Sequence, residues 1–276
     1  MKIREEVISS RNNPLVKWAA SLADKKGRGA ARQFIAEGEK LVYEALEASL
    51  PVTHIFVRED KYNSAIERIN AIADVHNLDD IEICVLSNSA FEKISTEKAP
   101  QGVCCAIKYL DFFCNMDIIY KEEFFIRPDE RALFLCSVRD PGNLGSVVRS
   151  AVAFGVDHII LSSDSADIYN PKTIRSAMGS LYRTRITTVS DIPAFIEAAR
   201  AASRRVLAAE LTDRALSLTD AALCPTDIVM IGNEGHGIPD DISALCDGSV
   251  YIPISHKTES LNASVAAAIF MWEQSK

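Results

Sequence analysis

Three short polar segments contain the residues whose types and spacing suit chemistry in this 276-residue chain. They are Asp140-Pro-Gly-Asn-Leu-Gly-Ser-Val-Val-Arg149, Gly232-Asn-Glu-Gly-His-Gly237 and Ser255–Ser264. They supply amide side chains, serines, one arginine (Arg149) and one carboxylate that is expected to be buried (Glu234). Glycine lets a backbone approach a ligand closely, and arginine offers a planar fork for a phosphate. The three segments therefore predict one composite site for a nucleotide-like ligand.

The same residue types exclude several common sites. The segment Pro141–Gly145 lacks the G-x-G-x-x-G spacing of a dinucleotide-binding turn, and no Walker sequence with Gly-Lys-Ser/Thr is present. No group of His, Cys, Asp and Glu has the spacing of a metal site, so no metal is expected. His236 suits a general base and equally an exposed loop histidine, whereas Arg149 taken alone favours a salt bridge on a helix surface.

Each polar segment follows an apolar run of strand length. Residues 132–136, 228–231 and 250–254 have the composition of buried strands. Behind the first segment, apolar residues at helical spacing predict a helix over 144–154, preceded by a tight turn at 141–143. Open α/β sheets bind ligands at the carboxyl ends of their strands, so we expect the three segments to meet at that edge.

The overall composition, with 48% hydrophobic and 25% charged residues, is typical of a soluble globular protein. No apolar run approaches the roughly 20 residues of a membrane span, and the N-terminus lacks the apolar core of a signal peptide. Seven cysteines without CxxC spacing fit reduced thiols. We therefore expect a cytoplasmic protein with no membrane partner.

Charge is distributed unevenly along the chain. The net charge is −8, yet residues 1–36 hold eight lysines and arginines against three acids, a balance of +5 that leaves −13 for the remainder. A basic segment on an acidic body is compatible with a local grip on a phosphate backbone. It is equally compatible with a solvated, flexible N-terminal segment.

Alternating strands and helices predict two α/β domains, 1–109 and 132–276, joined by a linker at 110–131. In the first domain a helix opening at Asn13-Pro14 is predicted to end in a basic turn at 25–29. The second domain is predicted to have a mostly parallel sheet. The linker contains four phenylalanines that we expect to dock on a domain: Phe112, Phe113, Phe124 and Phe125.

In combination and in order, these motifs resemble the signature motifs of the SpoU-type (TrmH) branch of the SPOUT RNA methyltransferases. The matching segments are Asp140–Gly155, Val229–Ile238, and Ile252–Ile254 with Ser260–Ala268. Further segments are also similar to the family: Asn170–Ser180, Phe34–Lys40 and Pro100–Gly102. A single glycine-rich motif would be weak support, but the resemblance covers nearly the whole chain.

The resemblance implies a C-terminal SPOUT-type α/β trefoil-knot domain with a smaller N-terminal α/β RNA-binding domain. It implies S-adenosylmethionine as the cofactor, bound in the knot loops, and methylation of a ribose 2′-hydroxyl of RNA. It also implies a homodimer that forms through the C-terminal domain. Because it has a separate N-terminal domain, the chain resembles the ribosomal-RNA members of the family more than the minimal transfer-RNA members. We therefore expect rRNA as the substrate, with tRNA as the alternative.

The resemblance also implies roles by position. The residues that match the polar active-site set are Asn143, Arg149, Glu234, Ser260 and Asn262. The residues that match the cofactor-contacting loops are Ala209, Glu210, Ile231, Gly232, Asn233, Gly235, Ile252, Ile254, Leu261 and Ser264.

A guanidinium stays protonated in proteins, so Arg149 is a poor candidate for the base. Our hypothesis is that Arg149 holds the target phosphate and stabilises the developing alkoxide, with Asn143 fixing its orientation. The proton would leave to a substrate phosphate oxygen or to water. Two alternatives stay open: an RNA-binding relative without the chemistry, and a nucleotide-dependent enzyme on another α/β fold.

Overall fold

A computed structural model of the chain describes residues 1–76, 78, 80–110, 114–116, 126–255, 257–258 and 260–276. The strands are β1 (Lys2–Ile8), β2 (Gln33–Glu37), β3 (Val52–Arg58), β4 (Glu82–Leu86), β5 (Val103–Lys108), β6 (Cys114–Met116), β7 (Ala132–Leu135), β8 (His158–Ser162), β9 (Arg185–Val189), β10 (Val206–Ala209), β11 (Leu216–Ser217), β12 (Ile228–Ile231) and β13 (Gly248–Tyr251). The helices are α1 (Pro14–Ser21), α2 (Lys25–Ala31), α3 (Glu39–Glu47), α4 (Tyr62–Ala73), α5 (Asn88–Ile94), α6 (Pro141–Phe154), α7 (Pro171–Ala177), α8 (Ile192–Ala201), α9 (Asp240–Ser243) and α10 (Ala263–Gln274).

The chain divides into two compact units, and the predicted α/β class is confirmed in each. The first unit comprises Met1–Leu110 and Asp167–Tyr182. Its described residues form a five-stranded sheet in the order β1-β4-β3-β5-β2, with β5 antiparallel to its two neighbours. Helices α1 and α5 bury apolar side chains against one face of this sheet, for example Val16 and Phe91 against Phe56.

Two elements of the first unit differ from the sequence prediction. Residues 25–29 lie in helix α2 and not in a turn. A Cβ atom on Gly27 would lie 2.0 Å from the carbonyl oxygen of Ser21, so glycine allows α2 to pack on the end of α1, and this tertiary contact overrides its low helix propensity. Residues 2–8 form the edge strand β1, parallel to β4, so they are not a flexible segment.

The second unit comprises Asp111–Ala166 and Arg183–Lys276. Its described strands form one parallel sheet in the order β11-β13-β10-β12-β7-β8-β9-β6. Strands β7, β8 and β12 are buried along their whole length, as expected for a parallel sheet covered on both faces. Strands β13, β10, β12 and β7 are consecutive neighbours, which brings their carboxyl ends to one edge.

Helix α6 begins at Pro141, so the predicted turn at 141–143 is wrong. Pro141 occupies the first helical position, and the side chain of Asp140 accepts a hydrogen bond from the backbone N–H of Asn143 at 2.8 Å. A proline at this position together with an aspartate N-cap initiates a helix. The helix ends at Phe154, and its C-cap residue, Gly155, adopts a left-handed conformation with φ of 70°.

Part of the predicted linker forms strand β6, which pairs with β9. The four linker phenylalanines lie outside the described residues, so their docking is not described. The domain bounds 1–109, 110–131 and 132–276 stay a prediction. Residues 167–182, which lie inside the third of these ranges, belong to the first compact unit. The trefoil knot also stays a prediction. No helix among the described residues is long and apolar enough to cross a membrane.

Candidate active site

The side chain of Asn143 joins the three polar segments at the carboxyl edge of the second sheet. Its Nδ2 donates a hydrogen bond to Oε1 of Glu234 in the loop after β12. Its Oδ1 accepts a hydrogen bond from Nδ2 of Asn262, at 3.0 Å, in the segment before α10. Side chains that lie 91 and 119 positions from Asn143 along the chain thus join it in one polar group.

The amide of Asn262 is itself fixed by the start of helix α10. Its Oδ1 accepts hydrogen bonds from the backbone N–H of Ser264 at 3.0 Å and from the Oγ of Ser264 at 2.6 Å. Because Oδ1 is the acceptor, Nδ2 faces Asn143. Ser264, predicted as a cofactor contact, therefore orients Asn262, and it is not among the residues that line the adjacent cleft.

The loop after β12 is closed by its own backbone. The N–H and carbonyl groups of Asn233 and Gly237 form two hydrogen bonds, at 3.1 and 2.9 Å. The Oδ1 of Asn233 accepts from the N–H of Gly235 at 2.8 Å. A Cβ atom on Gly232 would lie 2.4 Å from the carbonyl carbon of Gly237, so only glycine permits this turn.

A network at the exit of β7 supports the site. Asp164 accepts hydrogen bonds from Ser137 Oγ at 2.7 Å, Arg139 Nη2 at 2.8 Å and Ser162 Oγ at 2.7 Å. Burial alone would raise the pKa of Asp164, but these hydrogen bonds, led by that of Arg139, outweigh it and lower the pKa to about 2. The carbonyl of Ser137 accepts from Asn233 Nδ2 at 2.8 Å, which ties the exits of β7 and β12 together.

A cleft of about 860 Å³ lies beside this polar group. Its wall includes most of the residues that the resemblance assigned to the cofactor loops and two of the active-site set: Ala209, Glu210, Ile231, Gly232, Asn233, Ile252, Ile254 and Leu261, with Glu234 and Ser260. Such a volume lies within the roughly 300–1,000 Å³ typical of small-molecule sites. The polar group and the cleft are therefore one candidate site.

Sequence reasoning missed several apolar residues of the cleft: Leu211, Val250, Tyr251, Ala266 and Phe270. Ala263, Ala266 and Phe270 recur at helical spacing, so the spacing alone could have placed them on one face of α10. Leu211 follows β10 with no preceding signal, and it is 78% exposed at the rim.

Two predicted site residues are placed differently from expectation. Glu234 is exposed, so the expectation that it is buried is wrong: the three glycines around it keep its loop at the surface. Arg149 is exposed on α6, does not line the cleft and forms no hydrogen bond or ion pair with the described residues. It lies six residues after Asn143, which puts the two side chains about 120° apart around the helix.

The cleft is acidic. Glu210 and Glu234 are among its lining residues, whereas the described lining residues include no lysine or arginine. Glu210 is held in place because its Oε1 accepts hydrogen bonds from Ser249 Oγ at 2.8 Å and from Ser243 Oγ. This charge distribution suits a ligand with a positive group and disfavours a polyphosphate.

Comparisons with known proteins agree with this arrangement. A model described as the SpoU rRNA Methylase family matches residues 130–272, which is more than half of the chain. A second model, described as an MRM3-like substrate binding domain, matches residues 13–105.

Individual relatives match along nearly the whole chain. The 23S rRNA (guanosine(2553)-2′-O)-methyltransferase RlmP of Bacillus subtilis is 29% identical over 268 residues, 97% of this chain and 98% of that protein. The 23S rRNA (uridine(2479)-2′-O)-methyltransferase of Streptomyces viridochromogenes is 26% identical over 272 residues, 96% of this chain and 90% of that protein. The structure of the AdoMet-bound rRNA methyltransferase from Sinorhizobium meliloti, 26% identical, matches with a TM-score of 0.79 over 99% of this chain and 97% of that one.

Proposed function

Because the chain belongs to the SpoU rRNA methylase family, we infer that it is an RNA methyltransferase that transfers a methyl group to a ribose 2′-hydroxyl of ribosomal RNA. The observation that carries this inference is the hydrogen-bonded group Glu234–Asn143–Asn262 beside the cleft. It unites the three motifs that resemble the family. Two relatives that match almost end to end are named as 23S rRNA 2′-O-methyltransferases, which supports rRNA as the substrate.

The cofactor that fits the cleft is S-adenosylmethionine, which supplies an activated methyl group on a positively charged sulfonium. Ile231, Ile252 and Leu261 would provide apolar walls for its adenine ring and for the carbon atoms bonded to the sulfonium sulfur. Glu210 and Glu234 provide negative charge for a cationic ligand. The absence of lysine and arginine from the described lining argues against a nucleotide triphosphate.

The residues of this chain would bind and orient the substrates. The Asn143 amide, held on one side by Glu234 and on the other by Asn262, has a fixed orientation at the mouth of the cleft. Arg149, free of partners among the described residues, would hold a target phosphate and stabilise negative charge on the ribose oxygen. The ribose proton leaves to a phosphate oxygen or to water, because a guanidinium does not act as a base.

A homodimer accounts for two features of the second unit. Helix α10 exposes an apolar stripe at helical spacing that includes Val265, 48% exposed, and Trp272, 52% exposed. The ring centroid of Trp272 lies 6.0 Å from that of Phe154. Phe154 is the last residue of α6, the helix that carries Arg149. A second copy docked on this face would cover the stripe, and it would bring an arginine to a cleft that lacks one among its described lining residues.

Isothermal titration calorimetry of the purified protein tests the proposal most simply. We expect saturable binding of S-adenosylmethionine, and no comparable binding of ATP or NAD. Incubation of the protein with radiolabelled S-adenosylmethionine and unmodified rRNA should then transfer label to the RNA. Binding without transfer would favour the alternative of an inactive RNA-binding relative, and the absence of binding would contradict the proposal.

A further inference from the structure

Ser137, the second residue after strand β7, has an unusual backbone conformation. Its φ is 57°, which places a residue with a Cβ atom in the left-handed region that favours glycine. The hydrogen-bond ladder between β7 and β12 continues as far as Cys136, whose N–H donates to the carbonyl of Ile231 at 2.8 Å. The chain therefore leaves the strand direction at Ser137, three residues before Asp140, the N-cap of α6.

Each polar group of Ser137 has a partner that fixes this conformation. Its N–H donates to Ser162 Oγ at 2.7 Å, and its Oγ donates to Asp164 Oδ2 at 2.7 Å. Its carbonyl accepts from Asn233 Nδ2 at 2.8 Å. Asp164 also accepts from Ser162 Oγ, so its carboxylate controls two of the three contacts. Strained residues persist only where their surroundings hold them, and they cluster at functional sites.

The third contact of Ser137 leads into the loop after β12. The Asn233 amide that donates to the Ser137 carbonyl also accepts from the N–H of Gly235, at 2.8 Å. It therefore fixes the backbone next to Glu234, the residue that accepts from the site amide described above. Asn233 and Glu234 line the cleft, whereas Ser137 and Asp164 are not among its lining residues. A displacement of Ser137 would thus reach the cleft through Asn233.

We propose that Asp164 is a positioning residue of the methyl-transfer site, and that it acts through Ser137 and Asn233 on the loop that borders the cofactor cleft. This inference rests on the proposed function, because it takes S-adenosylmethionine as the ligand of the cleft. The carboxylate holds Ser137 in its left-handed conformation, and the Ser137 carbonyl orients the Asn233 amide. That amide holds the loop in its closed form. Asp164 thus contributes to cofactor binding without touching the cofactor.

Calorimetric titration of full-length variants with S-adenosylmethionine tests this role. Asp164→Asn keeps the shape of the side chain but leaves one acceptor oxygen in place of two, so we expect binding at least about fivefold weaker. Asp247→Asn is the matched control, because Asp247 accepts from Arg200 Nε and from the N–H of Val206, both at 2.9 Å, just before β13 begins. The control should change the affinity by less than about twofold. Equal losses in both variants would indicate general destabilisation and overturn the proposal.

A double-mutant cycle tests the route through Asn233. Asn233→Ala alone should weaken the binding of S-adenosylmethionine, because it removes both hydrogen bonds of the amide. Adding Asp164→Asn to Asn233→Ala should weaken binding by less than about a further twofold, since the contact through which Asp164 acts is already lost. Losses that multiply would mean that Asp164 acts independently of Asn233, and they would also overturn the proposal.

Two substitutions of Ser137 separate its backbone conformation from the mere loss of a hydrogen bond. Both remove the hydroxyl that donates to Asp164, but only glycine adopts a φ of 57° without strain. We therefore expect Ser137→Ala to bind S-adenosylmethionine at least about threefold more weakly than Ser137→Gly. Equal affinities, or the opposite order, would overturn the proposal. If Asp164→Asn fails to fold, the order of these two variants decides.

Failure of the proposed function would give a different result. Wild-type protein that binds no S-adenosylmethionine would refute that function before any variant is compared. Wild-type protein that binds it, together with an unchanged affinity in Asp164→Asn, would refute only the positioning role of Asp164.

Discussion

At the scale of single residues, the site depends on the orientation of one amide. Glu234 only accepts hydrogen bonds when it is ionised, so Asn143 must turn its Nδ2 towards it and its Oδ1 towards Asn262. The sequence predicted that these three residues belong to one site, because each occupies a matching position in a motif that resembles the family's. It did not predict their hydrogen bonds, which depend on how far each loop extends beyond its strand.

Asn143→Asp should abolish most methyl transfer, because it places a carboxylate against Glu234. Loss of one or two positioned hydrogen bonds corresponds to about 1–3 kcal/mol, or roughly 5- to 150-fold in turnover. Affinity for S-adenosylmethionine should change much less, because Asn143 does not line the cleft. Single-turnover kinetics and calorimetry measure the two effects separately.

The double variant Asn143→Asp/Glu234→Gln is the matched control for that experiment. The glutamine amide introduced at position 234 can donate to the new carboxylate at position 143, and Asn262 already donates to that position. The network therefore re-forms, with the negative charge at position 143 and not at position 234. We expect a substantial part of the lost turnover to return. If the double variant is as inactive as the single one, Asn143 has a role that an oriented network does not describe.

At the scale of elements, the loop after β12 is shaped by Gly232. Gly232→Ala should weaken binding of S-adenosylmethionine by at least about tenfold, because its Cβ would meet the backbone of Gly237 at 2.4 Å and force the turn open. The control is Gly248→Ala at the start of β13, whose Cβ would make an ordinary contact at 3.6 Å. Equal affinities of both variants, measured by calorimetry, would contradict a tightly closed loop.

A buried carboxylate, that of Glu130, stabilises the end of the same sheet at which strand β7 begins, away from the candidate site. Glu130 accepts hydrogen bonds from the N–H of Arg127 at 2.9 Å and from Arg185 Nη1 at 3.1 Å, and it lies 3.6 Å from His158 Nδ1. Burial alone would raise the pKa of Glu130, but the close approach of His158, the hydrogen bond from the N–H of Arg127 and the charge of Arg185 outweigh it, and the pKa falls to about 2.

Glu130→Gln should lower the free energy of unfolding at pH 7 by on the order of 2–3 kcal/mol. A folded pKa below the unfolded value of 4.5 means that the carboxylate stabilises fully above about pH 4.5, and that this stabilisation is lost as pH falls to about 2. The difference from the wild type should therefore shrink over that window in urea titrations. Exposed Glu47→Gln, which removes a surface pair with Arg68, should cost less than about 1 kcal/mol. A constant Glu130→Gln deficit down to about pH 3 would contradict this account.

Elements with strong patterns were predictable, and those made by tertiary contacts were not. The buried strands β7, β8 and β12 are continuous apolar runs, which local composition indicates directly. Helix α2 contains two glycines among its seven residues, so its local propensity is low and tertiary contacts such as its packing on α1 stabilise it. Strand β1 is exposed along most of its length, which removes the burial pattern that identifies a strand.

At the scale of the whole molecule, the proposed dimer makes a sharp prediction. Trp272→Glu places a charge in the exposed stripe of α10 and should convert a dimer into monomers with lower methyl transfer. Sedimentation velocity measures the change in mass. Exposed Val75, at 79%, lies on the other unit, and Val75→Glu should leave the mass unchanged. A monomeric wild type would contradict the proposal.

Co-expression of two inactive variants tests whether each site uses both copies. If one copy supplies Asn143 and the other Arg149, mixed dimers of Asn143→Ala and Arg149→Ala contain one intact site. Random pairing would then restore about a quarter of the wild-type activity. No recovery in purified mixed dimers would place both residues in the site of one chain.

The central claim, that the site delivers a methyl group to a ribose oxygen of rRNA, is tested most directly by mapping 2′-O-methylation in total RNA with and without the gene. The account predicts that one ribose of ribosomal RNA loses its methyl group in the deletion strain. The wild-type gene should restore it, and the Asn143→Asp gene should not. Ribosomal RNA with unchanged ribose methylation, or with a methyl group lost from a base, would contradict it.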